Sequence, residues 1–328
     1  MSQTNPGADG NVERMRRFIS LAFEGGVLEA CDELIHPDCE VIDPNVPDGG
    51  LRGPGLAKVV VRAVHSHFER YTLRLDDAFA AGESHVVNRF TGHAVHRGGF
   101  FGSQATGREV NWTGNTIYQF EAGLIRRVWI QWDMLAVLIQ LDVVPPPVPS
   151  TPPGWVVPAK PGTPYHAADR RSLPRRTTGK HIDPEVHKAV VRRALELASQ
   201  GRGEEMIAEC YAENFQREDN TSPVIAADSR GALRTYVQAI PRFFGNYRVE
   251  IEEQLAARDR VMTRFRVRGV HLGGFMGVAT GGQSIDYTGA IIQRFEENLI
   301  AQSWVTWDSY RLFFQLGLLP NIYRPWRA

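Results

Sequence analysis

Apolar and polar residues follow one another along this chain in two rhythms, and the order of those rhythms occurs twice. Residues 11–25 place Met15, Phe18, Ile19 and Ala22 on one stripe of a 3.6-residue period, and Gly25-Gly26 then break it. That spacing predicts an amphipathic helix stopping at the glycines. A short helix over 27–35 and an extended segment from Cys39 to Asp43, closed by Pro44, are expected next. After Gly49-Gly50 the helical period returns over 54–69, with Pro54 in the permissive first turn. The period then shortens to two. Runs over 71–80, 84–96, 108–120 and 124–133 are rich in Val, Ile, Thr and aromatic residues, with turns such as Ala81-Gly82 and Ala122-Gly123 between them. They predict four strands. The second half repeats the order: helix 185–199, short helix 203–211, strand 214–218, helix 228–243, then strands near 246–257, 259–271, 284–296 and 299–308.

Three helices followed by a four-stranded antiparallel meander make an α+β unit with its helices segregated against one sheet. The repetition extends to residue identity. Gly98 to Pro145 aligns without a gap on Gly273 to Pro320 at a constant offset of 175, with 18 of 48 positions identical. A repeat of that length is a domain, not a solenoid unit. The expected division is a disordered start over 1–10, a first domain over 11–145, a linker over 146–182, a second domain over 183–321 and a tail over 322–328. Proline density forces the linker into extended backbone without a core of its own. Its Arg170, Arg171, Arg175 and Arg176 read as a solvated run or a strap on an acidic surface.

Composition narrows the classes further. With 43% apolar and 23% charged residues, each half has enough apolar sequence for a core. The formal net charge of zero argues against a nucleic-acid or anionic-membrane partner. Cys31, Cys39 and Cys210 show no paired spacing and suit a reducing compartment. The N-terminus lacks a basic, then apolar, leader pattern, and no apolar run is long enough to span a bilayer. A soluble, cytoplasmic protein without membrane partners is the expectation.

Period-two alternation sorts the candidate chemistry. His96 shares a strand face with Val86, Asn88, Phe90, Gly92 and Ala94, and His271 shares one with Val261, Thr263, Phe265 and Val267. Near the C-terminal end of each repeat, Asp133 falls on a face with Trp129 and Gln131, and Asp308 on one with Trp304 and Thr306. A carboxylate walled by tryptophan loses solvation and can shuttle a proton near neutral pH. The bland alternatives are a helix cap for each aspartate and a hydrogen-bonded core position for each histidine. Asp43 and Asn45, with Asp219 and Asn220, lie where a pocket rim is expected, and turn formation is their simplest role. No glycine-rich nucleotide loop, zinc-protease helix motif or serine elbow is present. His93 and His96 point to opposite strand faces, so no metal is expected.

As a set, these residues resemble the SnoaL-like polyketide cyclases of the nuclear-transport-factor-2-like superfamily. The first copy supplies Arg89, His96, Gly98, Phe101-Gly102, Thr106-Gly107-Arg108, Phe120-Glu121, Ile125, Trp129, Trp132-Asp133 and Gln140-Leu141. The second supplies Arg264, His271, Gly273, Met276-Gly277, Phe295-Glu296, Ile300, Trp304, Trp307-Asp308 and Gln315-Leu316-Gly317. The resemblance implies two tandem cone-shaped domains, each a curved antiparallel sheet packed on about three helices around an apolar pocket. It also implies cofactor-free ring closure of a hydrophobic, polyketide-like carbonyl substrate by aldol condensation. The family's acid/base falls on Asp133 and Asp308, and its pocket histidine on His96 and His271. Trp129, Trp304, Phe90, Phe265, Gln131, Thr306, Asn111 and Asp286 are then the candidate substrate contacts. Relatives dimerise through the sheet, which implies that the two copies pair as an intramolecular pseudo-dimer. Epoxide opening is an alternative, with Asp286 as the second carboxylate; a non-catalytic carrier is another. The copies also depart from the pattern: Gly281-Gly282-Gln283 replaces Thr-Gly-Arg in the second, and Asp142 stands where the first should have glycine.

Overall fold

The computed structural model describes residues 7–45, 52–146, 183–219 and 228–322. The linker from 147 to 182 with its arginines, Asn220 and the tail from 323 lie outside them. The chain divides into two compact units, which change over between Val143 and Val144 and are taken in turn below.

In the first domain, helix α1 (Gly7–Phe18) starts earlier than the expected residue 11 and runs into a single wide turn over Ile19–Glu24. It is followed by α2 (Glu29–Leu34), β1 (Ile35–Ile42) and α3 (Gly53–His67). The four long strands are β2 (Phe68–Ala81), β3 (His85–His96), β4 (Glu109–Glu121) and β5 (Leu124–Trp132), and a short helix, α4 (Met134–Gln140), ends the domain. The second domain repeats this as α5 (Pro184–Ser199), α6 (Gly203–Cys210), β6 (Tyr211–Asp219), α7 (Arg230–Phe243), β7 (Phe244–Ala257), β8 (Arg260–His271), β9 (Ser284–Glu296), β10 (Leu299–Trp307) and α8 (Ser309–Gln315). Among the described residues no helix is long and apolar enough to cross a membrane.

The four-stranded meander forms as expected, but it is not the whole sheet. The strand orders are β1-β5-β4-β3-β2 and β6-β10-β9-β8-β7. β1 lies parallel to β5, with Val41 opposite Val128, and β6 lies parallel to β10, with Asp219 opposite Val305. Each sheet is therefore mixed and five-stranded, not wholly antiparallel. A whole helix and three long strands separate β1 from β5 in sequence, so nothing in the local pattern announces their pairing. The consequence is functional: the residue at the end of β1 or β6 comes beside the end of the last strand.

Two features common to both repeats have structural reasons. Gly114 and Gly289 lie under the rings of Phe90 and Phe265, where an added Cβ would come within 2.4 Å of either ring. Gly289→Ala is accordingly expected to destabilise the second domain by about 1–3 kcal/mol through overpacking, read as a lowered melting temperature. The paired Gln-Leu places an amide against the edge of β4 or β9. Gln140 Oε1 accepts from Asn111 N–H (2.9 Å) and its Nε2 donates to Asn111 O (2.8 Å); Gln315 does the same at Asp286 (2.9 and 3.0 Å). Asp142 takes the left-handed conformation that Gly317 takes in the other copy (φ 56° and 74°). Arg108, kept in the first copy alone, holds Asp142 at 2.5 Å.

Candidate active site

Between the helices and the inner face of the second sheet lies a cavity of ≈ 120 Å³. Strand alternation decides its wall. β10 contributes Ser303, Val305 and Trp307; β9 contributes Tyr287 and Ile291; β8 contributes Phe265 and Val267; β7 contributes Tyr247 and Val249. Helices α5 and α7 close it with Ala194, Ala198, Leu233, Tyr236 and Val237. The wall is apolar except for one ionic pair, the Ser303 hydroxyl, the Trp307 N–H and the phenols of Tyr211, Tyr236, Tyr247 and Tyr287.

That pair stands at the end of β6. Arg217 Nη2 donates to Asp219 Oδ2 at 2.7 Å, and both side chains are about nine-tenths buried, at 12% and 9% exposure. Trp307 Nε1–H donates to the other carboxylate oxygen, Oδ1, at 3.3 Å. The parallel pairing of β6 on β10 is what brings the two together. Tyr247 and Tyr287 place their hydroxyls 3.3 Å apart, and burial pushes the pKa of Tyr236, Tyr247 and Tyr287 upward, so all three stay protonated. The cavity thus offers a carboxylate, a guanidinium and neutral O–H groups on a greasy wall, the composition of a small-molecule site.

Comparison with known proteins identifies the family of both domains. The SnoaL-like polyketide cyclase model matches residues 13–141 and again 188–316. The chain belongs to the SnoaL-like polyketide cyclase family. Among solved structures, TsrD from Streptomyces laurentii is 17% identical, over 42% of this chain and 98% of its own, at a TM-score of 0.38. A candidate polyketide cyclase from Acidithiobacillus ferrooxidans is 26% identical over 41% and 95%, with a TM-score of 0.38. AclR from Streptomyces galilaeus is 20% identical over 42% and 100%, again at 0.38. No curated protein matches the chain.

The first SnoaL-like domain keeps the carboxylate and changes its surroundings. Asp43, at the end of β1, accepts from Trp132 Nε1–H (3.0 Å) and from the Asn45 N–H (2.9 Å). Val41 stands where Arg217 stands in the other copy, since both residues sit two before the aspartate on the strand that pairs with β5 or β10. Burial pushes the Asp43 pKa up to about 6, against the lowering effect of both hydrogen bonds. Trp112 replaces Tyr287 and lies over Gly92, where a Cβ would come within 2.2 Å of the indole. Its ring packs 5.4 Å from Tyr71, which stacks in turn on Phe23 at 6.4 Å. Aromatic rings occupy the region that forms the cavity wall in the second domain.

The residues singled out in the sequence fall into three groups. Phe265 lines the cavity, and Phe90 is buried at the matching position in a cluster with Trp112. Trp304, Thr306, Trp129 and Gln131 lie on the alternate row of the last strands, on the face opposite Val305 and Trp307 or Ile130 and Trp132. Asn111 and Asp286 likewise alternate with Trp112 and Tyr287. Asp286 is held on that outer face by Arg266 (2.6 and 2.7 Å), whose hydrogen bonds lower the pKa of its carboxyl.

Asp133 and Asp308 come after the strand, at the helix N-caps: Asp133 Oδ1 accepts from Ala136 N–H (3.0 Å) and Asp308 Oδ1 from Arg311 N–H (2.9 Å). Asp308→Ala should cost about 1 kcal/mol in unfolding free energy, the usual worth of such a cap. The histidines secure the hairpin loop after β3 or β8. His96 Nδ1 lies 3.0 Å from Thr106 Oγ1 and its Nε2 lies 3.1 Å from Ser103 Oγ, while burial and then the neighbouring His67 push its pKa down. His271 Nε2 accepts from Phe275 N–H (3.3 Å), which leaves Nδ1–H to donate to Gln283 Oε1 (3.0 Å). Both ring nitrogens of each histidine are taken up by the histidine's own loop.

The sequence places Asp43 and Asp219 at an expected pocket rim, with turn formation as their simplest role, and does not mark them as acid/base candidates. One signal did point further: an aspartate ends the short strand in both copies.

Proposed function

We propose that the chain is a cofactor-independent cyclase or isomerase acting on a hydrophobic, polyketide-like carbonyl compound, with the second domain as its working site. The observation that carries this reading is the Asp219 carboxylate, hydrogen-bonded by Trp307 at the wall of an aromatic cavity. Asp219 takes a proton from the carbon beside a substrate carbonyl. The electron pair left behind forms an enolate, which attacks a second carbonyl of the same molecule and closes a ring. The new alkoxide takes the proton back from Asp219, so no redox partner is needed. The tyrosine hydroxyls stay neutral and donate to whichever oxygen carries charge. In this reading Asp133 and Asp308 set the helix that follows the last strand, and His96 and His271 set the loops.

The test is exchange in D₂O, without added metal. Hydrophobic 1,3-dicarbonyl compounds and polyketide esters should incorporate deuterium at the acidic carbon, or close a ring, faster with protein than without it, followed by NMR. Equal rates with and without the chain would remove the enzymatic reading.

A further inference from the structure

Arg217 is the group in the cavity with chemistry left to offer. One of its terminal nitrogens is engaged by Asp219 at 2.7 Å, yet its Nε–H is buried without a hydrogen-bond partner among the described residues. The side chain is 12% exposed and lines the cavity beside Tyr236, Tyr247 and Tyr287. A buried N–H donor without an acceptor is costly, so an arginine that keeps one beside an open cavity is matched to an acceptor that arrives with a ligand. A guanidinium is always charged and presents its donors in a fixed plane, which suits an oxygen that carries or develops negative charge. Asp219, on the same guanidinium, is placed to receive the proton whose loss creates that charge.

We propose that Arg217 is the electrophilic half of the second site: its Nε–H binds the substrate carbonyl oxygen and stabilises the enolate formed as Asp219 takes the adjacent proton. The ligand class follows as a neutral aromatic or polyketide carbonyl compound able to enolise. As the C–H bond breaks, its electron pair becomes the C=C bond, the carbonyl π pair moves to oxygen, and the proton passes to Asp219. The first domain, with Val41 at this place, lacks the group. This inference rests on the cavity being the ligand site.

A planar phenolate imitates an enolate, and para-nitrophenol reports its own ionisation by absorbance. The full-length wild type should bind the phenolate roughly ten-fold or more tightly than the phenol, the worth of one charged hydrogen bond. Arg217→Met should abolish the preference. Arg217→Lys, which keeps a counter-charge for Asp219 but removes the Nε–H, should retain the fold and lose most of it. Asp219→Asn should strengthen the preference by freeing the guanidinium. Val249→Trp, which fills the cavity, should abolish dye binding. A phenolate preference unchanged in both arginine variants overturns the role of Arg217 while leaving the cavity as a site. Dye that fails to bind the wild type, or that still binds after Val249→Trp, overturns the cavity reading itself and this inference with it.

Discussion

Asp219→Asn is expected to lower turnover by about 10²–10⁴-fold, the usual contribution of a positioned acid/base, while Asp308→Asn leaves it within a few-fold of wild type. The contrast comes from what each carboxylate touches. Asp219 stands on the cavity wall, hydrogen-bonded to Trp307 and paired with Arg217. An amide there keeps the shape and cannot take the proton. Asp308 is buried at 3% exposure and accepts from the first turn of α8. Asparagine is as good a helix N-cap as aspartate, so the second variant preserves what the side chain does there. Asp219→Asn also leaves a buried guanidinium without its counter-charge, which lowers stability, so rates should be compared well below the melting temperature. Loss of turnover in Asp308→Asn with retention in Asp219→Asn would return the acid/base role to the cap position.

The second large effect is on stability and has a sign set by pH. Asp43 has a folded-state pKa of about 6 against an ordinary value of 3.8. Below the ordinary value both folded and unfolded chains hold the proton, and burial of Asp43 carries no ionisation cost. Between there and about 6 the unfolded chain ionises first, so stability falls as pH rises. Above the folded value the loss is complete. Asp43→Asn, which imitates the protonated group, should therefore raise the stability of the first domain at pH 8 by about 1–2 kcal/mol, after discounting for partial exposure. At pH 4 it should raise it hardly at all. Urea unfolding at the two pH values checks this, and a gain of equal size at both would show that ionisation of Asp43 is not its source.

Much of this protein is legible in its sequence. Its repeat, its α+β order and the alternation along each strand follow from local rules, because a helix or strand period depends on neighbours a few residues away. The alternation predicts Asp133 on one strand row with Trp129 and Gln131, whereas Asp133 follows the strand and caps α4. Sequence alone could not say which row faced inward, since both carry tryptophan: Trp129 and Trp304 on one, Trp132 and Trp307 on the other. Packing of the helices on the sheet selected the second row, as Trp307 and Val305 on the cavity wall demonstrate.

Asp43 and Asp219 illustrate the same division at the level of chemistry. By sequence each is a polar residue before a turn, about ninety positions from the tryptophan it meets. Their place beside Trp132 and Trp307 depends on a parallel strand pairing that closes over a helix and three strands, and no periodicity encodes such a partner. The sequence by itself determined two domains of one family, the faces of their strands and the residue types available for acid/base work. Only the tertiary structure decided which carboxylate meets the cavity. Desolvation and hydrogen bonding act over a few ångströms of space, and strand order sets those distances between residues far apart in the chain.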